Sequence, residues 1–78
     1  MKTHALKIYP EYFQSIWDRK KMFEIRKNDR GYQVGDFVVL SEYNSETGLY
    51  TGRAVSAYIS YMTDYMQKDG YVVFGLEF

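Results

Sequence analysis

The stretch Arg19-Lys20-Lys21-Met22-Phe23-Glu24-Ile25-Arg26-Lys27-Asn28-Asp29-Arg30, running on to Gly35-Asp36, decides how this chain is read. Its twelve residues from 19 to 30 carry six cations and two carboxylates. Apolar Phe23 and Ile25 alternate with polar Glu24 and Arg26, so residues 21–27 read as a strand with one buried face and one charged face. Folding alone does not require so many charges of one sign. The expectation is that this strand and the turn after it wall a polar, anion-friendly site, held rigid by the rest of the chain. Asn28-Asp29-Arg30-Gly31 supplies the turn, because Asn and Asp tolerate left-handed geometry and bond their own backbone.

Working outward, residues 3–9 alternate, with His4, Leu6 and Ile8 on one side, and read as a first strand. Pro10 fits the first turn of a helix and Glu11 its positive end. Phe13, Ile16 and Trp17 follow at helical spacing and are expected to face the core of a short helix over 10–18. Residues 37–43 are nearly continuously apolar at their start, which predicts a central strand buried there on both faces. Asn44-Ser45-Glu46-Thr47-Gly48 reads as a hairpin loop, and 49–61 as one long strand or two meeting at a bend, with Gly52 as the expected bulge. Residues 62–68 read as a helical turn or a loop, and 71–78 as a final strand with Val72, Phe74, Leu76 and Phe78 on one side. The sum is an α+β protein: a small, strongly bent sheet or barrel of about five to six strands with one N-terminal helix. Seventy-eight residues without a linker or repeat make a single domain, 1–78.

Composition narrows the function. A hydrophobic content of 46% is enough for a core and argues against disorder. With no cysteine there is neither disulfide nor thiolate chemistry, and a lone histidine, His4, with no ligand spacing around it predicts no metal site. No apolar run is long enough for a secretion signal or a membrane span, so the expectation is a cytoplasmic protein with no membrane partner. No glycine loop or nucleophile motif is present, and no cofactor is expected. A chain this short is helped by self-association, so a homodimer is a possibility to test. The net charge of zero hides a split: residues 1–30 hold eight Lys/Arg against four Asp/Glu, a net of +4, and residues 31–78 hold two against six, a net of −4. Such asymmetry marks an anion-binding face on a neutral body.

Glu24 and Arg26 lie two positions apart on a strand, roughly 7 Å at about 3.3 Å per residue, and share a face. Lys21 sits at the corner before them. Lys21, Arg26 and Arg30 are expected to hold a phosphate or the polar edge of a base, with the Glu24 carboxylate accepting from an exocyclic amine. His4 and Lys7 are secondary candidates for the same site. Of the nine tyrosines, Tyr32 stands next to the basic turn and is the one expected to stack on a ligand.

The segment Arg19-x-Lys21-x-x-Glu24-x-Arg26 resembles the G-x-K-x-x-E-x-R signature of the ASCH domain, a branch of the PUA-like superfamily of small β-barrels. The longer string Lys20 to Arg30, then Gln33-Val34-Gly35-Asp36, is similar to a group of short ASCH-like proteins of bacteria and phages, as are His4, Leu6, Lys7, Pro10-Glu11-Tyr12-Phe13 and Tyr50-Thr51-Gly52-Arg53. The resemblance implies a PUA-like barrel that binds RNA or a nucleotide-like ligand in a cleft lined by Lys21, Glu24 and Arg26. Arg19 departs from the signature, which has glycine there. One ASCH branch removes acetyl from N4-acetylcytidine with the signature lysine and a threonine three residues on. Here Lys21 is kept and Glu24 replaces the threonine, so that mechanism does not carry over. A hydrolase acting on a modified nucleoside, with Lys21 and Glu24 catalytic and Glu24 as base on water, is the second reading. A third is a protein-interaction module using Tyr and Met side chains in 58–66.

Overall fold

The computed structural model describes residues 1–78. Its elements are β1 (Thr3–Ile8), α1 (Pro10–Trp17), β2 (Phe23–Lys27), β3 (Phe37–Asn44), β4 (Leu49–Thr63) and β5 (Tyr71–Glu77). The five strands form one sheet in the order β1-β3-β4-β5-β2. β1 runs parallel to β3, and every other pairing is antiparallel. The sheet curls into half a barrel, so that β1 and β2, the first two strands of the chain, become its two edges. This is the expected α+β architecture with one short N-terminal helix.

Alternation fills the inner face. Leu6 and Ile8 from β1, Val38 and Leu40 from β3, Val55, Ala57 and Ile59 from β4, and Val72, Phe74 and Leu76 from β5 form one core. Phe13 and Ile16 of α1, which packs against β3, close it from the concave side. Phe13, Phe74 and Leu40 are among the largest wholly enclosed side chains, and each such large apolar side chain stabilises the fold by about 1.5–3 kcal/mol.

Several expectations are corrected. Trp17 does not enter the core: it is 49% exposed and stacks on Phe13 at 5.8 Å, because the helix ends there and its last turn overhangs the sheet. β3 is buried on one face only. Phe37 and Val39 on the other face remain half-exposed, since no second layer covers the convex side. Of the open alternatives, β4 is one continuous strand, running on to Thr63, and the segment after it is a loop with a turn at Tyr65–Met66. Phe78 lies past the end of β5 and is exposed.

The largest reversal is in β2, where Glu24 is 4% exposed while Ile25 is 53% exposed and Phe23 is likewise on the outside. The charged face points in and the apolar face out. Pairing dictates this: Glu24 stands opposite Phe74 and Arg26 opposite Val72, and directly paired residues share a face of the sheet. Because Phe74 and Val72 point into the core, Glu24 and Arg26 must follow.

Two irregularities bend β4. Between Ser41 and Tyr43 the ladder skips, with Ser41 opposite Ala54 and Tyr43 opposite Tyr50, and Gly52 (φ +95°) lies in the extra length. The expected bulge is therefore present. A second shift falls between Ile59 and Tyr61, opposite Leu76 and Gly75. There a Cβ on Gly75 would come within 2.9 Å of Ser60 Oγ, so a side chain at this position would have to displace the Ser60 hydroxyl.

Candidate functional site

The two edge strands face each other across a gap that no backbone ladder closes. Side chains span it instead. Arg26 on β2 donates from Nη2 to the Lys7 carbonyl of β1 (2.9 Å), and Arg30, in the loop after β2, donates from Nη1 to the Ala5 carbonyl (3.2 Å). Each bond satisfies an edge carbonyl that would otherwise need water. Alongside this seam opens a cleft of about 710 Å³. Its walls are the end of β1 and the start of α1 (Lys7, Ile8, Tyr9, Tyr12), the corner residue Lys21 with β2 (Phe23 to Lys27), and Tyr71 from β5.

Glu24 anchors the polar end. Its Oε2 accepts from Arg26 Nε at 2.9 Å and its Oε1 from Lys21 Nζ, while Lys21 Nζ also donates to the Phe23 carbonyl at 2.8 Å. The carboxylate is enclosed and the two cations are partly exposed, with side-chain accessibilities of 6% for Glu24, 19% for Lys21 and 24% for Arg26. A buried carboxylate is tolerated when charged donors occupy its oxygens. Counting Lys7, Lys21, Arg26 and Lys27 against Glu24, the lining carries a net charge of +3. Its aromatic surface comes from Tyr9, Tyr12, Phe23 and Tyr71, with Lys21 Nζ 5.0 Å from the Phe23 ring centre.

The sequence-predicted residues are thus partly reunited. Lys7, Lys21, Glu24 and Arg26 meet at one cleft. Glu24 is too enclosed, and its oxygens too committed, to accept from an incoming amine as expected; it pins the cations instead. Arg30 closes the seam beside the cleft without lining it. Tyr32 is not a stacking surface. It is 3% exposed, with its ring 4.7 Å from His4 and 5.0 Å from Phe74. Burial raises its phenol above the ordinary value, against the opposing pull of Arg26 and Arg30, so the hydroxyl stays neutral.

His4 is also structural. Its Nε2 lies 2.8 Å from Asp36 Oδ2, and Asp36 further accepts from the backbone N–H of Lys2 (3.0 Å) and Gln33 (3.1 Å). The His4 bond first, and the backbone donors with it, hold the Asp36 carboxyl down to about 2. This knot ties the start of β1 to the corner before β3. A third buried carboxylate, Glu42, had no counterpart among the sequence-predicted site residues. It accepts from Thr51 Oγ1 (2.6 Å) and from Nε and Nη2 of Arg53 (both 3.0 Å), and Arg53 Nη2 reaches Gln14 of α1 at 3.3 Å. Arg53, then Thr51, hold Glu42 below the usual carboxylate range, and Glu42 in turn raises Arg53. Only the juxtaposed Thr51 and Arg53 after a hairpin hinted at it. The tyrosines and Met66 of 58–66 are exposed, but they sit on a strand end and a turn rather than around one hollow.

No group of three or more His, Cys, Asp or Glu side chains gathers to hold a metal ion, and no helix is long and apolar enough to cross a membrane. Comparison with known proteins gives a phage relative and a family. An "Uncharacterized 12.9 kDa protein in GpA 3'region" of Escherichia phage P2 is 41% identical over 63 residues, which is 81% of this chain. The aligned part makes up 56% of that relative, so the chain spans little more than half its length. A family profile described as "Domain of unknown function (DUF3850)" matches residues 3–76, and the chain belongs to that family.

Proposed function

We propose that the seam cleft binds RNA or a nucleotide-like ligand, and that the half-barrel is of the PUA-like, ASCH kind. The observation that carries the reading is the Lys21–Glu24–Arg26 triad at the polar end of a cleft with aromatic walls. Glu24 takes one donor from each cation and backbone carbonyls take one more from each, which leaves one N–H of Lys21 and the Nη1 group of Arg26 to an incoming anion. A phosphate seated there meets an ammonium and a guanidinium already oriented, so little side-chain entropy is lost on binding. Tyr9, Tyr12, Phe23 and Tyr71 offer faces for a base. The match of the Arg19-x-Lys21-x-x-Glu24-x-Arg26 string to the ASCH signature supports the same reading.

Binding is preferred to hydrolysis. A base acting on water needs a carboxylate oxygen turned to the substrate, and both Glu24 oxygens are occupied and enclosed.

The test is a titration of short single-stranded RNA against salt. Two or three phosphate contacts give a slope of about −1.4 to −2 in log K against log salt, at about −0.7 per contact. Lys21→Ala with Arg26→Ala should remove most of that slope, whereas Arg53→Ala should keep it. No binding at low salt, or binding indifferent to Lys21 and Arg26, ends the proposal.

A further inference from the structure

Outside the cleft, the base of the β3–β4 hairpin carries an aromatic pair with no part in the core. Tyr43 and Tyr50 are cross-strand partners with ring centres 5.2 Å apart at an interplanar angle of 69°. Tyr50 is 58% exposed, and from Leu49 to Ala54 every residue of β4 is exposed, so the hairpin projects as an arm beyond the body of the sheet. Lys7 ties this arm to the cleft: it belongs to the cleft lining, and its Nζ sits 4.5 Å from the centre of the Tyr43 ring. In the ladder Lys7 stands opposite Ser41, and Tyr43 follows two positions on, so cation and ring share the convex face. An edge-to-face tyrosine pair beside a lysine leaves an open π-face next to a positive charge. Neither the core nor a hydrogen bond requires that arrangement here.

We propose that Lys7, Tyr43 and Tyr50 form a second subsite for single-stranded RNA, in which a base leaving the cleft stacks on Tyr50 while Lys7 holds the phosphate between the two subsites. The inference rests on the cleft reading and extends it to more than one nucleotide. Charge favours this occupant. The cleft beside the arm is net positive, and the acid at the arm's base, Glu42, points inward and is neutralised by Arg53. Glu46, in the turn at the far end of the arm, repels phosphate and confines the track to the arm's base. Base stacking on an exposed ring is tolerant of sequence, so the subsite reads single-strandedness rather than base identity.

Labelled oligouridylates of one to six nucleotides, followed by anisotropy at low salt, test the inference. In the unmodified protein, affinity should rise with length. Tyr50→Ala should weaken the hexamer by about 5- to 150-fold, the range for loss of one base–aromatic stack, with little change for the mononucleotide, and Tyr50→Trp should restore it. Tyr50 is exposed and outside the core, so the fold should survive, which circular dichroism checks. Hexamer binding that depends on Lys21 but not on Tyr50, or affinity that does not rise with length, overturns the second subsite and leaves the cleft reading standing. A protein that binds neither length overturns both.

Discussion

Two glutamates sit on the inner face of the same sheet, equally buried and each paired with arginine, yet their surroundings differ. Glu42 meets Arg53 through two donors and Thr51 through a third, and the guanidinium is then spread over the Phe13 ring at 4.9 Å with Gln14 at its edge. The Nε and Nη2 donors of Arg53 are spent within the protein, and the result is a staple between the hairpin and α1. Glu24 takes only one bond from each of two separate cations, which stand at the rim of a cleft with donors left over. A buried carboxylate therefore does not by itself mark a site. What distinguishes the two is where the cations stand: Arg53 lies on the Phe13 ring, whereas Lys21 and Arg26 line the cleft.

That contrast predicts which phenylalanine matters for what. Phe13, under Arg53, is fully buried, and Phe13→Ala should destabilise the fold by about 3–5 kcal/mol, the range for truncating a buried aromatic. Phe23, beside Lys21, is 43% exposed, and Phe23→Ala should leave the unfolding free energy in urea within about 1 kcal/mol of the parent while weakening ligand binding. Equal loss of stability in the two variants would erase the distinction between staple and site.

The cleft's polar end was legible in the sequence and the staple was not, for a physical reason. Lys21, Glu24 and Arg26 are near neighbours in the chain, so strand geometry alone brings them together. Arg53 reaches Glu42 across a hairpin with a bulge, and Asp36 reaches His4 across 32 positions, and no local period encodes either pairing. Alternation in β1 and β5 showed which residues share a face, and there apolar content told inside from outside. In β2 the same alternation was read with the wrong side in, because periodicity divides a strand into two faces without saying which is buried. The pairing of Glu24 with Phe74 decides it, and strand order is set by the whole sheet. Tyr32 misled for a related reason: nearness in sequence to the basic turn did not show that its ring fills the space between His4 and Phe74.

Acid should attack the staple and the knot. Asp36 titrates at about 2 when folded, below its ordinary value near 3.8, so its contribution to stability is complete above about pH 4 and is lost as the pH falls toward 2. Glu42 is shifted in the same direction and adds to the loss. Urea midpoints measured from pH 6 down to pH 2 should fall over this window in the parent and fall less steeply in Asp36→Asn, which starts lower. An Asp36→Asn profile as steep as the parent's would place acid sensitivity elsewhere, with Glu42→Gln as the next variant to compare.

The smallest expected effect lies at the corner joining α1 to the cleft. Arg19 has φ +60°, a left-handed conformation that costs a residue with a Cβ about 1 kcal/mol relative to glycine. Arg19 offsets the strain by donating from Nη1 to the carbonyls of Ile16 (3.0 Å) and Trp17 (3.2 Å) at the helix end, and by lying 3.9 Å over the Phe78 ring. Arg19→Ala keeps the strain and loses the bonds, whereas Arg19→Gly loses both. The alanine variant should therefore be the less stable of the two by roughly 0.5–1 kcal/mol in urea unfolding, reversing the usual preference of a chain for alanine over glycine. If alanine proves the more stable, the corner is not strained in solution, and Arg19 needs no offsetting contact there.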